Sequence, residues 1–520
     1  MRESWGKVKV EYFNFTNIAK YHRAVKKSNQ CLSEKTRVDI DFDDVFAFVD
    51  RTTSRPGQQY LYDKLSQPVF DLEQLRKLDS QVNFFSNNKN LRELTQLGLL
   101  RLGKDDAYDI TSLISDELDE KPKWYRLIVV EIVVVLVLLA LSFYKPVFLI
   151  WLLVPFIFNL GIHYWNKNNI FRFIHSFPQL DILINLSKDF VAKNLPFESE
   201  HVVRSIQHLK GFQVKRRFLS FGDSSMSSEM RQVLSFIVEL VKAFFLVEFF
   251  TYFSLSQELK GKRQDILNLF RYVGEIDSSI SIASLRAGSG QICKPVFTDA
   301  EKKMCAKDLY HPLIEDCVPN SIKVDGKSIL ITGSNMSGKS SFLRTVAVNA
   351  LFAQTIYTCF ASEFHTPFVR LSSSIRIDDS MAEGKSYYFE EVSVIGKLVK
   401  EASEEPQNLF ILDEVFKGTN TVERIAAAKA ILTYLNQHDN IVFVSTHDIE
   451  LAELLKEAYE LYHFTEVIVD NKLHFDHILK TGKSTTRNAI AILAISGYPP
   501  QIIEEAKTLA QIRAQHAVPK

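Results

Sequence analysis

The sequence has few cysteines, no excess of charge of either sign and no low-complexity tract. Its 520 residues include five scattered cysteines without a CxxC pair, which argues against a disulfide framework or a zinc site and favours reduced intracellular thiols. Lys and Arg together number 62, and so do Asp and Glu, so the formal net charge is zero. A basic excess is typical of nucleic-acid-binding proteins. The charge balance therefore argues against a dedicated DNA-binding protein, although a local basic surface remains compatible with it.

The N-terminus lacks an apolar segment of the kind found in secretory signals. Residues 1–6 read MRESWG, so we expect no cleavable signal peptide. The overall composition, 46% hydrophobic and 24% charged, is that of a folded protein. At roughly 150 residues per domain, the length allows about three domains.

Two long apolar runs are present, at residues 127–144 and 147–163. Glu131 is the single charge in the first run, and Pro146 lies between the two. Proline cannot continue a helix, and each run forms a helix of about 24–27 Å, close to the ~30 Å of a bilayer core. We therefore predict a two-helix transmembrane hairpin within residues 121–166. The alternative is a buried helical hairpin inside a soluble α-domain.

Basic and aromatic side chains flank the predicted hairpin on both sides. They are Lys121, Lys123, Trp124, Tyr125 and Arg126 before it, and Tyr164, Trp165, Lys167 and Arg172 after it. Aromatic residues are typical of the membrane–water interface, and the positive-inside rule places both outer ends in the cytoplasm. The sequence thus predicts a multi-pass protein of the cytoplasmic membrane. Residues 127–163 would contact the lipid bilayer, and the N-terminus and C-terminal domain would lie in the cytoplasm.

The rest of the chain changes character near residue 300. Residues 1–120 and 167–300 repeat apolar positions at helical spacing, which predicts an all-α region interrupted by the hairpin. In residues 301–520, short β-rich runs alternate with helical patterns, which predicts an α/β domain with a parallel-rich sheet. The clearest predicted strands are Ser328–Thr332, Leu409–Leu412 and Ile441–Ser445.

The C-terminal region contains a phosphate-binding loop. Residues 333–340 read GSNMSGKS and match G-x(4)-G-K-[ST] between a predicted strand and a predicted helix. Glycines let successive backbone N–H groups point at phosphate oxygens, at the positive end of the helix dipole. Lys339 is predicted to reach the β- and γ-phosphates in catalysis, and Ser340 to bind Mg²⁺. The residues predicted to bind ATP are Gly333, Ser334, Asn335, Met336, Ser337, Gly338, Lys339, Ser340 and Ser341.

Two further predicted strands are followed by side chains that could act on a nucleotide bound at this loop. Asp413 and Glu414 follow one apolar strand, and we predict that Asp413 holds Mg²⁺ through water while Glu414 polarises the attacking water. His447 follows another strand and is predicted to contact the γ-phosphate or that water. Each residue alone would be an ordinary strand terminus. The order of loop, Asp-Glu and His is that of P-loop ATPases of the ABC type, so ATP and Mg²⁺ are the predicted cofactors.

These C-terminal motifs resemble those of the MutS family. Residues 332–341, TGSNMSGKSS, are similar to T-G-P-N-M-x-G-K-S-T, and residues 413–421, DEVFKGTNT, are similar to D-E-x-x-x-G-T-S-T. Residues 384–391, GKSYYFEE, resemble G-x-S-T-F-x-x-E. The likeness covers about residues 305–510 and implies an ATPase domain of the ABC type.

Upstream, the likeness is to the helical core of the same family. Residues 51–62 resemble the entry to that core, and residues 276–283, IDSSISIA, resemble the L-D-x-x-x-S-x-A helix that leads to the ATPase domain. The sequence leaves no room before this core for a mismatch-reading domain, so none is expected. Cys317 stands where the family has an aromatic residue that stacks on adenine.

The resemblance implies a homodimer formed through the ATPase domain. ATP would lie between Lys339, Ser340, Asp413 and Glu414 of one subunit and Ser386 of the other. DNA binding, as in mismatch repair, is implied by the resemblance alone. The basic cluster at residues 215–217 is either a phosphate contact or a solvated face.

Three hypotheses about function follow. The first is a membrane-anchored MutS-like ATPase that binds DNA without its own mismatch reader. The second is a MutS-derived ATPase that acts on a membrane or protein partner, which the zero net charge favours. The third is half of an ABC transporter, which is disfavoured because two apolar runs are too few and residues 384–388, GKSYY, replace an LSGGQ-like signature.

Overall fold

The computed structural model describes most of the chain, and its contacts divide it into two compact units. The described residues are 2–25, 30–116, 121, 123–219, 241, 244–299, 301–334, 336–376, 387–416, 420–469, 472–482, 493 and 497–516. The first unit comprises Met1–Lys26, Asp50–Asp63 and Ser80–Leu285. The second comprises Lys27–Val49, Lys64–Asp79 and Arg286–Lys520.

The fold is rich in helices, as the periodicity predicts for the first 300 residues. The α-helices are α1 (Phe15–Ile18), α2 (Lys20–Ala24), α3 (Glu34–Asp39), α4 (Phe42–Val49), α5 (Arg55–Ser66), α6 (Leu72–Asn87), α7 (Lys89–Leu99), α8 (Ser112–Ser115), α9 (Tyr125–Ser142), α10 (Phe148–Trp151), α11 (Leu153–Ala192), α12 (Glu200–His208), α13 (Lys210–Leu219), α14 (Val247–Leu259), α15 (Arg263–Gly288), α16 (Lys339–Thr355), α17 (Tyr387–Glu401), α18 (Thr421–Leu435), α19 (Ile449–Leu455) and α20 (Pro500–His516). Short 3₁₀ helices cover Leu100–Leu102 and Asp105–Thr111.

Among the described residues, the strands all lie after residue 295. They are β1 (Val296–Phe297), β2 (Lys303–Leu309), β3 (Asn320–Asp325), β4 (Ser328–Thr332), β5 (Glu363–Thr366), β6 (Arg370–Ser374), β7 (Asn408–Asp413), β8 (Ile441–Thr446), β9 (Tyr459–His463), β10 (Glu466–Val469), β11 (Lys472–Phe475) and β12 (Lys480–Thr481). The three strands predicted from apolar runs are observed as β4, β7 and β8.

The first unit is helical, and a buried carboxylate joins two of its distant segments. Asp277 on α15 is completely buried and accepts hydrogen bonds from the Thr53 and Ser54 backbone N–H groups, at 2.9 and 2.7 Å, and from the Ser54 hydroxyl at 2.6 Å. The Arg51 N–H donates to the Ser281 hydroxyl at 2.8 Å. Burial raises the pKa of Asp277 to about 6. The two upstream segments that resemble the MutS core therefore contact each other.

The apolar runs form helices that leave most of their side chains uncovered by the described residues. Among these residues one helix, Tyr125–Ser142, is long and apolar enough to cross a bilayer. Its mean hydropathy is 2.5, and 11% of its 18 residues are buried. A second apolar helical stretch, Phe148–Ile162, is shorter. The Asn159 side-chain amide donates to Glu131 at 3.1 Å, so a polar pair links the two apolar stretches.

The second apolar helix differs from its expected bounds. It is not one segment over residues 147–163, because α10 ends at Trp151 and α11 runs on from Leu153 to Ala192. The helix continues beyond the apolar run through more polar residues and includes Pro178 in its interior, so the change in composition does not end it. The prediction of a transmembrane hairpin is left untested by this geometry.

The second unit is built on a mixed, six-stranded sheet. Its strand order is β12-β9-β4-β8-β7-β6, and the pairs from β9 to β6 are all parallel. β12 pairs antiparallel with β9. Every residue of β4 and β8 is buried, and the helices that follow them pack on this sheet. A four-stranded sheet (β1-β5-β2-β3) and the β10–β11 hairpin complete the described strands.

A short segment from the N-terminal part of the chain belongs to this second unit. Asp39, at the end of α3, is completely buried and accepts hydrogen bonds from the Ser373 hydroxyl at 2.7 Å and from the Ile375 and Arg376 N–H groups at 3.0 and 2.9 Å. These three residues lie at and just beyond the C-terminal end of β6. The segment around Asp39 thus covers the C-terminal end of β6, the outermost strand of the six-stranded sheet.

Candidate nucleotide-binding site

The phosphate-binding loop connects the buried strand β4 to helix α16. Gly333 and Gly338 both have positive φ, 145° and 110°, and Gly338 is the N-cap of the helix. A Cβ atom at Gly333 would lie 2.8 Å from the Phe464 carbonyl oxygen, so a larger residue would require the backbone to move. Both predicted glycines are therefore required by the path of the loop. Asn335 lies outside the described residues.

Lys339 is buried inside this loop. Its side chain donates to the carbonyl oxygens of Gly333 and Ser334, at 2.9 and 2.7 Å, and only 4% of the residue is exposed. Its Nζ atom also lies 3.5 Å from Nε2 of His447. The ammonium group is thus held at the centre of the loop, where it can exchange loop carbonyls for phosphate oxygens.

Asp413 and Ser340 meet at the end of strand β7. The Ser340 hydroxyl donates to Oδ2 of Asp413 at 2.5 Å, and the Ser445 hydroxyl donates to Oδ1. One carboxylate beside one hydroxyl fits the way in which Mg²⁺ is bound together with phosphate oxygens and several waters. Among the described residues no group of three or more His, Cys, Asp or Glu side chains could hold a metal alone.

Glu414 and His447 form a pair next to Asp413. Nε2 of His447 lies 2.5 Å from Oε1 of Glu414. The Glu414 N–H donates to the Ser445 carbonyl oxygen at 3.1 Å, which ties the turn after β7 to β8. Because carboxyl ends of adjacent parallel strands lie at one edge of a sheet, residues 73 and 108 positions apart in sequence are neighbours here.

A cavity of about 450 Å³ opens beside the loop. Met336, Lys339 and Ser340 line it on the loop side, and Cys317, Asn320 and His477 are among the residues that line the rest. This volume is in the range of small-molecule sites, ~300–1,000 Å³. The cavity adjoins the phosphate-binding loop. It can therefore accommodate the nucleoside of a nucleotide whose phosphates are bound at the loop.

His477 contributes to this cavity although the sequence pattern does not single it out. Its Nδ1–H donates to the Ser337 carbonyl oxygen at 3.1 Å, and Asn320 binds the His477 backbone oxygen at 3.0 Å. Buried Glu466 accepts a hydrogen bond from the Ser334 hydroxyl at 2.8 Å and is likewise absent from the predicted site. Neither residue lies in a motif, so only the folded chain reveals their proximity to the loop.

The structure brings most of the predicted site residues together. Lys339, Ser340, Asp413, Glu414 and His447 lie at the same edge of the six-stranded sheet, each linked by a hydrogen bond or close contact to another of the set. Ser386, predicted to contact the nucleotide of a second subunit, lies outside the described residues. The arrangement suits binding of a triphosphate beside a carboxylate that can orient water.

Comparison with known proteins gives a family-model match in the C-terminal part of the chain and similarity to several curated proteins. Residues 329–513 match the family model for MutS domain V. The chain is 32% identical over 275 residues to the DNA mismatch repair protein MutS of Pseudothermotoga lettingae, which is 51% of this chain and 33% of that protein. It is 28% identical over 267 residues to the DNA mismatch repair protein MutS of Thermus aquaticus, covering 51% of this chain and 32% of that protein.

A third relative extends the match slightly. Identity to the DNA mismatch repair protein MutS of Aquifex pyrophilus is 28% over 305 residues, 57% of this chain and 35% of that protein. The chain spans about a third of the length of these curated relatives. The C-terminal part of the chain is thus similar to domain V of MutS proteins.

Proposed function

We propose that the chain is a membrane-anchored MutS-type ATPase that binds and hydrolyses ATP in a dimer. The observation that carries this proposal is the clustering of Lys339, Ser340, Asp413, Glu414 and His447 at one sheet edge, next to a cavity of nucleotide size. The match to MutS domain V supports it independently of the geometry.

The proposed binding of ATP is based on the phosphate-binding loop at residues 333–340. Backbone N–H groups at the start of α16 face the phosphates, and the helix dipole favours their negative charge. Lys339 supplies a positive charge from inside the loop, where its present partners are carbonyl oxygens of Gly333 and Ser334. Mg²⁺ held by Ser340 and, through water, by Asp413 would neutralise charge on the β- and γ-phosphates.

Hydrolysis requires a group that orients and deprotonates water at the γ-phosphate. Glu414 directly follows Asp413 and is held by His447 at 2.5 Å, so its carboxylate is fixed beside the loop. We assign the water-activating role to Glu414. His447 keeps the carboxylate in place and lies close enough to Lys339 to respond to the γ-phosphate.

The dimer and the membrane anchor rest on separate arguments. Resemblance to the MutS family supports a homodimer in which Ser386 of a second copy completes the site. The apolar helix Tyr125–Ser142, 11% buried, and the apolar stretch Phe148–Ile162 support contact with the lipid bilayer through residues 127–163. With basic flanks at both ends, the N-terminus and the ATPase domain would face the cytoplasm.

For the target of the ATPase we favour DNA, with a membrane or protein partner as the second candidate. The relatives are named DNA mismatch repair proteins, which supports DNA. One observation favours the second candidate: Lys215 is paired with Glu258 at 2.9 Å and Arg216 with Asp181 at 2.5 Å. These two ion pairs partly neutralise the charges of Lys215 and Arg216, which weakens the case for a phosphate contact by these two side chains.

The test uses the full-length protein in detergent. ATP turnover by the wild type and its loss in Lys339→Ala, which removes the only ammonium group inside the loop among the described residues, are the expected results. If Lys339→Ala hydrolyses ATP as fast as the wild type, the proposed site is wrong. Exposed Lys429→Ala, away from the loop, is the matched control.

Binding to duplex, branched and mismatched DNA at several salt concentrations separates the two targets. A DNA-binding ATPase should bind with an affinity that falls steeply with salt, because phosphate contacts release counterions. No retention on any DNA at low salt, with ATPase activity intact, would favour a membrane or protein partner. Membrane fractionation of the full chain and of a chain lacking residues 121–166 tests the anchor.

A further inference from the structure

The turn that follows Glu414 has an unusual backbone. Glu414 and Phe416 both have left-handed φ angles, 54° and 65°, and neither is glycine. Side chains with a Cβ atom rarely adopt this conformation, and it persists only where surrounding contacts hold it. The carboxylate assigned to water activation thus sits in a turn that depends on its neighbours.

Two hydrogen bonds hold this turn from opposite sides. The Glu414 N–H donates to the Ser445 carbonyl oxygen at 3.1 Å. The Phe416 N–H donates to Oε1 of Glu391 at 2.5 Å. Glu391 lies on α17 and is 1% exposed, and Phe416 is 3% exposed. The first bond fixes the start of the turn to β8, and the second fixes its end to a helix.

The acceptor in the second bond is a carboxylate in a buried position. Burial of a carboxylate is costly unless hydrogen-bond donors surround it, and bonds from a backbone N–H to a charged acceptor are short and strong. A helix position that only had to fill space would be occupied more favourably by an apolar residue. The ring of Tyr388 on the same helix lies 5.9 Å from that of Phe416, so α17 contacts the turn at two places.

We propose that Glu391 is a positioning residue for ATP hydrolysis: it holds the turn after Glu414 so that the Glu414 carboxylate stays directed at the attacking water. The inference rests on the proposed function, in which Glu414 activates that water. Glu391 itself touches no reacting atom. Loss of its acceptor oxygen would let the turn relax from the left-handed region and move Glu414 away from His447.

The experiment compares Glu391→Ala and Glu391→Gln with the wild type in the full-length protein. Steady-state turnover gives kcat and KM for ATP, and a fluorescent ATP analogue gives the nucleotide Kd. For Glu391→Ala we expect kcat to fall by about 10²-fold, the size expected for a displacement of about 1 Å at a catalytic group. The Kd should stay within about twofold, because the phosphate loop is not altered.

Glu391→Gln should recover most of the lost kcat, because its amide oxygen can accept the same N–H bond. Glu401→Ala is the matched control: Glu401 lies on the same helix and accepts a hydrogen bond from Ser372 at 2.8 Å, away from the turn. Its kcat and Kd should both equal those of the wild type.

Each outcome decides the inference. It is overturned if Glu391→Ala hydrolyses ATP at the wild-type rate, if Glu391→Gln is as slow as Glu391→Ala, or if kcat and nucleotide affinity fall together in both variants. A wild-type protein that binds the analogue without hydrolysing ATP would overturn the water-activating role of Glu414 first. Should Glu391→Ala not fold, Glu391→Met, which fills similar space without an acceptor oxygen, takes its place with the same expected loss of kcat at equal Kd, and wild-type turnover by Glu391→Met overturns the inference.

Discussion

Removal of the Ser445 hydroxyl should weaken metal binding without disturbing the phosphate loop. This hydroxyl donates to Oδ1 of Asp413, while Ser340 donates to Oδ2 at 2.5 Å. Ser445 is completely buried, and its carbonyl oxygen, which receives the Glu414 N–H, is unchanged by a side-chain substitution. Ser445→Ala therefore removes one bond that orients the Asp413 carboxylate and leaves the backbone contacts in place.

The expected loss of metal affinity in Ser445→Ala can be derived from the charge on the acceptor, the Asp413 carboxylate. A hydrogen bond to a charged group contributes about 1.5–3 kcal/mol. Loss of a residue that orients a metal-binding carboxylate typically lowers metal affinity by about 10–100-fold. We expect a decrease of that size for Ser445→Ala, with nucleotide affinity in the absence of metal unchanged.

Mn²⁺ is a suitable probe, because its binding in the presence of ADP can be followed by electron paramagnetic resonance independently of hydrolysis. Ser373→Ala is the matched control: its hydroxyl also bonds an aspartate in the same unit, Asp39 at 2.7 Å, but not Asp413. If Ser445→Ala binds Mn²⁺ as tightly as Ser373→Ala and the wild type, Asp413 does not hold the metal in the manner argued above.

Two further predictions concern other carboxylates. Glu414→Gln should still bind ATP but hydrolyse it about 10²–10⁴-fold more slowly, because an amide cannot accept the proton from water; unchanged single-turnover hydrolysis would refute the role. Asp277 has a pKa of about 6 when folded against 3.8 for the free side chain, so the folded state binds the extra proton and stability falls as pH rises from about 4 to 6. Its contribution should decrease by about 3 kcal/mol in all between pH values well below 3.8 and well above 6, an order-of-magnitude figure at 1.36 kcal/mol per pKa unit. About two thirds of this decrease, roughly 2 kcal/mol, lies between pH 4.5 and 7.5. Urea titrations at these two pH values should show it in the wild type and not in Asp277→Asn, and equal pH dependence of the two proteins would contradict it.

Local sequence patterns predict the central strands of the second unit because those strands are fully buried. Strands β4, β7 and β8 begin and end within one residue of the predicted runs, since an uninterrupted apolar run must be covered on both faces. The proximity of Lys339, Asp413 and His447 follows from the same reasoning, because adjacent parallel strands place their carboxyl ends together.

Other contacts depend on features that a one-dimensional pattern does not carry. Glu391 binds a backbone N–H whose direction is set by the left-handed φ of Phe416, and nothing in the residue types near 416 specifies that angle. Glu466 reaches Ser334 across 132 positions. The continuation of α11 to Ala192 is a further such feature, because the change to more polar composition after residue 163 does not indicate that one helix spans it.

The burial of Asp39 has a practical meaning for work on the ATPase alone. A protein shortened to residues 301–520 would keep every motif of the nucleotide site but lose the acceptor of the Ser373 hydroxyl and of two backbone amides beyond β6. These three donors would then have lost the carboxylate that accepts their hydrogen bonds at this edge of the sheet. An intact catalytic core would therefore require the polypeptide near residue 39 to be supplied as well, either in the same chain or as a separate peptide.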